Sequence, residues 1–302
     1  MGLVAGTKVG ILGQDVSSAP SISIGDCTLD VVEYFTYLGS SISSNFSLDT
    51  ELNMRIGKAS AAMTRLTKRV WENTVLNIKT KTQVYQACVL STLLYSSESW
   101  TLYTRQERRL STFHLCCLRR ILGITWQDHI PNTEVLVRAG SLSMYALLTK
   151  RRLRWLGHVT HMHDGRLPKD ILYGELATGS RPTGRPTLRY KDVLKRDLKA
   201  GGIAPAGFEA LAADRSGWRH TTESAIKTAE QKREEQREEK RACRCQRAET
   251  DTAPLDDNAF TLQPQPALQL YHGLTFTGAN SIVSRDRGMP ILSGLVEMHW
   301  LC

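Results

Sequence analysis

The spacing of apolar residues changes near position 49. Before it, SISIG, TLDVV and YFTYLGSSIS are short β-branched or aromatic runs broken at Gly-Asp and Gly-Ser, the pattern of a small meander or of hairpins. After it, Leu52, Ile56, Ala59, Met63, Leu66 and Val70 recur three or four apart, a helical stripe that Asp49 is placed to cap. Arg55, Lys58, Arg65 and Lys68 lie on other faces, so one side packs and another is basic.

Helical periodicity then holds to about residue 200. KTKTQVYQACVLSTLLYSSESW is apolar on most faces from Val84 to Tyr95, which places it at the centre of a core. Thr104 and Glu107 have capping-box spacing and open a helix through Leu110, Phe113, Cys117 and Ile121 that Gly123 stops. A shorter helix, about Asn132 to Ala139, precedes one from about Ser141 to Val159. In the latter, Leu142, Tyr145, Leu148, Leu153 and Leu156 alternate with Lys150, Arg151, Arg152 and Arg154. Gly179, Pro182, Gly184 and Pro186 mark an irregular basic loop, after which TLRYKDVLKRDLKAGG reads as a short helix ending at Gly201. AGFEALAADRSGWR reads as one more packed helix. ESAIKTAEQKREEQREEKRA has good helix formers but almost no apolar stripe, so it reads as a solvated or fluctuating helix and not a coiled coil. Residues 250–302, with Pro254, Pro264 and Pro266, show no sustained period and read as a disordered or degenerate tail. The expected fold class is mainly α: a small N-terminal β-hairpin or meander, a helical thumb-like bundle, a charged helix and a tail. The expected segments are 1–48, 49–220, 221–249 and 250–302.

Charge adds a partner to this picture. The 302 residues carry 39 Lys+Arg against 30 Asp+Glu, a net +9. The excess is concentrated: residues 51–150 hold fourteen basic against six acidic side chains, and residues 151–200 hold twelve against five. Such a block favours a polyanion, although it says nothing about fold. The seven cysteines are irregularly spaced and odd in number, unlike a disulfide framework, and no run of about 18 apolar residues exists. The expectation is a reduced intracellular protein, nuclear or cytoplasmic, with no membrane partner.

RRLRWLGHVTHMHDGRLPK, residues 151–169, poses the sharpest chemical question. His158, His161 and His163 are of a zinc-ligating type, but a site needs a third and usually a fourth ligand in tetrahedral geometry, and no cysteine is nearby in sequence. Neither metal nor cofactor is expected. The arginines suit phosphate oxygens better. Trp155 could stack on a base, but core packing is the expectation for both Trp155 and Trp126. Cys243-x-Cys245 supplies two ligands at most, too few for a finger.

Several blocks in register carry a family likeness: FTYLGS at 35–40, VYQACVLSTLLYSSESWTL at 84–102, FHLCCLRRILGITWQD at 113–128, RLRWLGHV at 152–159 and LYGELATG at 172–179. Over roughly residues 8–220 they resemble the segment after the catalytic palm in reverse transcriptases of non-LTR, LINE-type retrotransposons. The resemblance implies that TLDVVEYFTYLGSSIS is the end of the palm, with Phe35, Tyr37, Leu38 and Gly39 in a primer-grip-like hairpin. It implies that the helices beyond are a thumb that holds template and growing duplex. Arg55, Lys58, Arg65, Lys68, Arg119, Arg120, Arg151, Arg152, Arg154, Arg185, Arg189 and Lys191 are then the expected nucleic-acid contacts. The partner is RNA or an RNA/DNA hybrid with little sequence preference, and a separate palm fragment is a second candidate partner. Polymerase chemistry needs carboxylates holding two metal ions. The adjacent pair here, Asp256-Asp257, lacks the Tyr-x-Asp-Asp context, so no catalytic residue is expected and the chain reads as a truncated copy, its enzymatic status leaning to none. The alternative is a helical protein-interaction module using helix 222–242, or a product without selected function.

Overall fold

Leu38 and Gly39 both take positive φ, 48° and 83°, as the two central residues of a two-residue hairpin turn. They join β5 (Tyr34–Tyr37) to β6 (Ser40–Ser43), antiparallel and in register Phe35 with Ile42 and Tyr37 with Ser40. The computed structural model describes residues 10–12, 22–24, 27–45, 47–174 and 188–251. Upstream of the hairpin lie two-residue pairings: β1 (Gly10–Ile11) runs parallel to β4 (Asp30–Val31), and β2 (Ser23–Ile24) is antiparallel to β3 (Cys27–Thr28). The hairpin is fastened to the first helix. Ser41 N–H donates to Glu51 at 2.6 Å, and Arg55 donates to Glu51 at 2.7 Å and to the Gly39 carbonyl at 2.6 Å.

The helices follow in the expected order. α1 (Asp49–Arg65) runs into a π-helical stretch, Thr67–Trp71, whose Trp71 indole donates to the Met63 carbonyl at 2.7 Å. α2 (Ile78–Val84) is capped by Asn77 and continues through a π-helical stretch, Tyr85–Leu90, into α3 (Ser91–Leu93). α4 (Thr104–Leu122) ends at Gly123 and α5 (Asn132–Ala139) at Gly140, both glycines left-handed with φ 67° and 58°, where a side chain would be strained. α6 (Met144–Thr160) is capped by Ser143. α7 (Leu167–Tyr173) and α8 (Tyr190–Ala200) flank residues outside those described; α9 (Phe208–Ala213) and α10 (Arg215–Asp251) complete the order.

Two hydrophobic clusters hold these helices. The first collects Leu52, Ala59, Tyr85, Leu93, Leu110 and Leu118 of α1–α4, Val135 of α5, and Met144 and Leu148 from the start of α6. The second collects Leu153 and Leu156 from the rest of α6, with Leu194 and Leu198 of α8, Ala212 of α9 and Trp218 of α10. Helix α6 therefore belongs to both clusters.

Three local expectations are corrected. The capping box at Thr104 and Glu107 is replaced by one a residue earlier, in which Gln106 accepts from the Tyr103 N–H at 3.1 Å, leaving Glu107 buried against Arg196 at 2.9 Å. Asp49 does not cap α1 but sits in its first turn, bonded to Arg105 and Gln106. The stretch expected as one helix, AGFEALAADRSGWR, breaks at Asp214, whose carboxylate accepts from the Ser216 and Gly217 amides and starts α10. The charged helix is continuous with that start, and Trp218, Thr222, Ala225 and Ile226 bury its first half. By packing, the chain divides into residues 1–238 and 239–302; of the second unit the structure describes only the end of α10. The tail from 252, with Asp256-Asp257, and the loop containing Arg185 lie outside the described residues.

Candidate nucleic-acid interface

Apart from the internal Arg152, helix α6 is apolar where it is buried and basic where it is exposed. Leu148, Leu153 and Leu156 face inward, which turns Lys150, Arg154 and His158, each four apart, onto an exposed ridge. Concavities flank the ridge. One, of about 540 Å³, is completed by Arg215, Arg219 and Glu223 of α10. The other, of about 500 Å³, is completed by Arg151, Trp155 and Glu98. Together they gather five cationic side chains against two carboxylates. Lys150 stands 4.0 Å from Glu223, and no carboxylate pairs with Arg154 among the described residues.

Arg151 is only partly available. Its guanidinium donates to the Leu94 carbonyl at 3.1 Å and lies 3.9 Å from Glu98. Burial pulls its pKa below the usual arginine value, yet a guanidinium stays charged at any physiological pH. Trp155 is half-buried and its ring lies 5.3 Å from that of His158.

The expected phosphate contacts separate into groups. Arg55 and Arg152 are corrections, because both are internal. Arg55 is 5% exposed, paired to Glu51, and lies over the Tyr95 ring at 4.4 Å. Arg152 is 1% exposed and donates to Asp197 of α8 at 2.6 Å. Lys58, Arg65 and Lys68 are exposed on α1 and its continuation. Arg119 is spent on the loop after α4, donating to Asn132 at 2.6 Å, while exposed Arg120 donates to Thr67 at 3.1 Å. Arg189 and Lys191 open α8 around Tyr190, whose hydroxyl donates to the Glu98 carbonyl at 2.8 Å.

The hairpin adjoins this region. Tyr37 and Leu38 border a depression of about 470 Å³ that also takes in Tyr95, Glu98 and Arg151. Phe35, Tyr37 and Leu38 are exposed, whereas the Gly39 carbonyl is held by Arg55. The three histidines do not converge: His158 lies against Trp155, both ring nitrogens of His161 face carbonyl oxygens of Gly157 and Ala213, and His163 is exposed. Trp126 corrects another expectation, because it is 70% exposed and not core.

Sequence reasoning missed Lys150, Arg215 and Arg219 as members of the interface. Arg215 and Arg219 are four apart in RSGWR, on the face of α10 beside the buried Trp218, and that spacing was the available signal.

Comparison with known proteins adds origin. The chain is 27% identical over 208 residues, 65% of its own length and 74% of the relative's, to a Caenorhabditis elegans protein described as transposon-derived and uncharacterized. No protein-family description and no solved structure matches it. Among the described residues no helix is long and apolar enough to cross a membrane.

Proposed function

We propose that the chain binds RNA or an RNA/DNA hybrid as the nucleic-acid-binding remnant of a non-LTR retrotransposon reverse transcriptase. The observation that carries this reading is the ridge of Lys150, Arg154 and His158 standing between concavities completed by Arg151, Arg215 and Arg219. Cations on two neighbouring helices can track a phosphate backbone, and guanidinium groups on rigid helices suit phosphate geometry. No element of this region presents a base-reading motif, so the protein touches the backbone and sequence preference is weak. The transposon-derived relative and the blocks after the palm support the same origin. The adjoining hairpin makes a separately supplied palm fragment a second partner under this reading.

The test is binding of a blunt RNA/DNA hybrid, measured across a salt series, by the full chain and by Lys150→Gln/Arg154→Gln. Both side chains are exposed, so the fold is retained, which circular dichroism checks. For every phosphate that the variant no longer neutralises, the slope of log affinity against log salt should fall by about 0.9. A variant with unchanged affinity and slope would sink the reading. A wild-type chain whose binding ignores salt would favour the protein-interaction alternative.

A further inference from the structure

Among the described tryptophans, Trp71, Trp100 and Trp218 are buried and Trp155 is half-buried, but Trp126 is left 70% in solvent. The loop that carries it is fastened along its length. Gly123 ends α4 with φ 67°, and Ile124 N–H donates back to the Arg119 carbonyl at 3.0 Å. Thr125 donates to Asp128 through its amide at 2.6 Å and its hydroxyl at 2.9 Å, and the Arg119 guanidinium holds the Ile130 carbonyl and Asn132. Ile124 and Ile130 pack against the first core cluster on either side of the exposed indole. The ring is thus presented by a braced turn at a standing hydrophobic cost.

The charges around the turn point to the ligand. Arg120, at the end of α4, donates to Thr67, which brings the end of α1 alongside; Thr67 is followed by Lys68 and Arg69, both exposed. Asp128, the carboxylate of the turn itself, has its pKa lowered by its two Thr125 bonds and would repel phosphate at the ring. A flat uncharged face at the indole, on the turn that continues the Arg120 end of α4, with Lys68 and Arg69 following the Thr67 that Arg120 holds, describes a nucleotide whose base is unpaired.

We propose that Trp126 stacks an unpaired base of a single-stranded or frayed nucleic acid while Arg120, Lys68 and Arg69 hold its phosphates. This rests on the nucleic-acid reading above and deepens it, since the α6 ridge needs only backbone charge and is indifferent to pairing. Bases inside an uninterrupted duplex are already stacked, so Trp126 contributes nothing there.

The experiment compares the full-length chain with Trp126→Ala and Trp126→Phe on a single-stranded RNA and on a blunt RNA/DNA hybrid. Exposure of the ring makes both variants foldable. Trp126→Ala should lose roughly 5- to 150-fold in affinity for the single strand, Trp126→Phe should keep most of it, and neither should change binding to the hybrid. Quenching of indole fluorescence by the single strand should fall in Trp126→Phe. Equal single-strand affinity in wild type and Trp126→Ala, or an equal loss on both ligands, overturns the stacking role while leaving the α6 reading intact. A wild-type chain that binds neither ligand removes the parent reading, and the stacking role with it.

Discussion

Arg152 shows how one buried cation redirects a functional expectation. It lies between Leu148 and Leu156, four residues from each, so it belongs to the apolar stripe of α6 and points into the fold. There it meets Asp197 at 2.6 Å, and its Nη1 has no hydrogen-bond partner. A buried pair of this kind contributes little net stability, yet removing one member strands a charge. Arg152→Met is therefore expected to destabilise the chain by about 3–5 kcal/mol, and Arg152→Met/Asp197→Leu to recover most of that, both read from urea unfolding. A single variant as stable as wild type would return Arg152 to the surface set. His114 gives a second handle at this scale. Its Nδ1 accepts from the buried Tyr85 hydroxyl at 2.8 Å and its Nε2–H donates to the Leu142 carbonyl at 3.1 Å, so the ring is neutral. Burial lowers its pKa from 6.5 to about 4. Between those values the unfolded chain binds more protons than the folded one. This contribution is fully present above pH 6.5 and is lost as pH falls through about 4. Wild type is expected to lose more stability than His114→Phe over that interval, measured by unfolding midpoints in paired buffers. Parallel pH curves would show that His114 does not titrate this way.

At the scale of elements, spacing located most helices because their stops are chemical. Gly123 and Gly140 end α4 and α5 where left-handed backbone is required, and Gly201 follows α8. Spacing could not separate Arg55 from Lys58 by residue type, since both are basic and three apart. Their neighbours could have done so: Arg55 lies between Leu52 and Ala59 on the buried stripe, as Arg152 lies between leucines. The burial of Trp218, Thr222, Ala225 and Ile226 was hidden because only two of the four are large or aliphatic enough to mark a face. The partner helix explains that economy. A Cβ on Gly157 of α6 would stand 2.3 Å from the Trp218 indole nitrogen, which is fixed by its bond to the Leu153 carbonyl at 3.1 Å. Gly157→Ala should cost about 1–3 kcal/mol through overpacking. Gly57→Ala, in exposed α1 with nothing within 4 Å of the new carbon, should instead stabilise by about 0.5–1 kcal/mol. Equal effects in chemical denaturation would mean that α6 and α10 do not cross so closely. Trp126 was illegible for a different reason. The tight turn Trp126–Asp128 follows a helix stop, and periodicity carries no information about which way a loop residue points.

For the whole molecule, the basic block falls where the fold brings separate helices together, and its local field exceeds what a net +9 conveys. The ridge on α6 gains Arg215 and Arg219 from more than 50 residues away, an assembly that only tertiary packing makes. Under the proposed reading such a surface holds a duplex, but nucleotide addition asks for more. An in-line attack on phosphate by way of two metal ions requires carboxylates that fix those ions, and the ions' electrostatic stabilisation is worth several kcal/mol of the barrier. Asp49, Asp197 and Glu51 are already committed to Arg105, Arg152 and Arg55. The half-buried Glu98 and the exposed Glu223 that border the ridge stand beside Arg151 and Lys150. The chain is therefore expected to bind a primed RNA template and not extend it, with all four deoxynucleotides and either magnesium or manganese present. Template-dependent extension by the unmodified chain would overturn that expectation, and loss of the extension in Asp256→Ala/Asp257→Ala would place the metal-holding pair in the tail. Adding a separately expressed palm fragment should restore extension if the hairpin and helices act as the thumb, and Lys150→Gln/Arg154→Gln should then weaken it most at low salt, where the two lost phosphate contacts contribute most, the gap to wild type narrowing as salt rises.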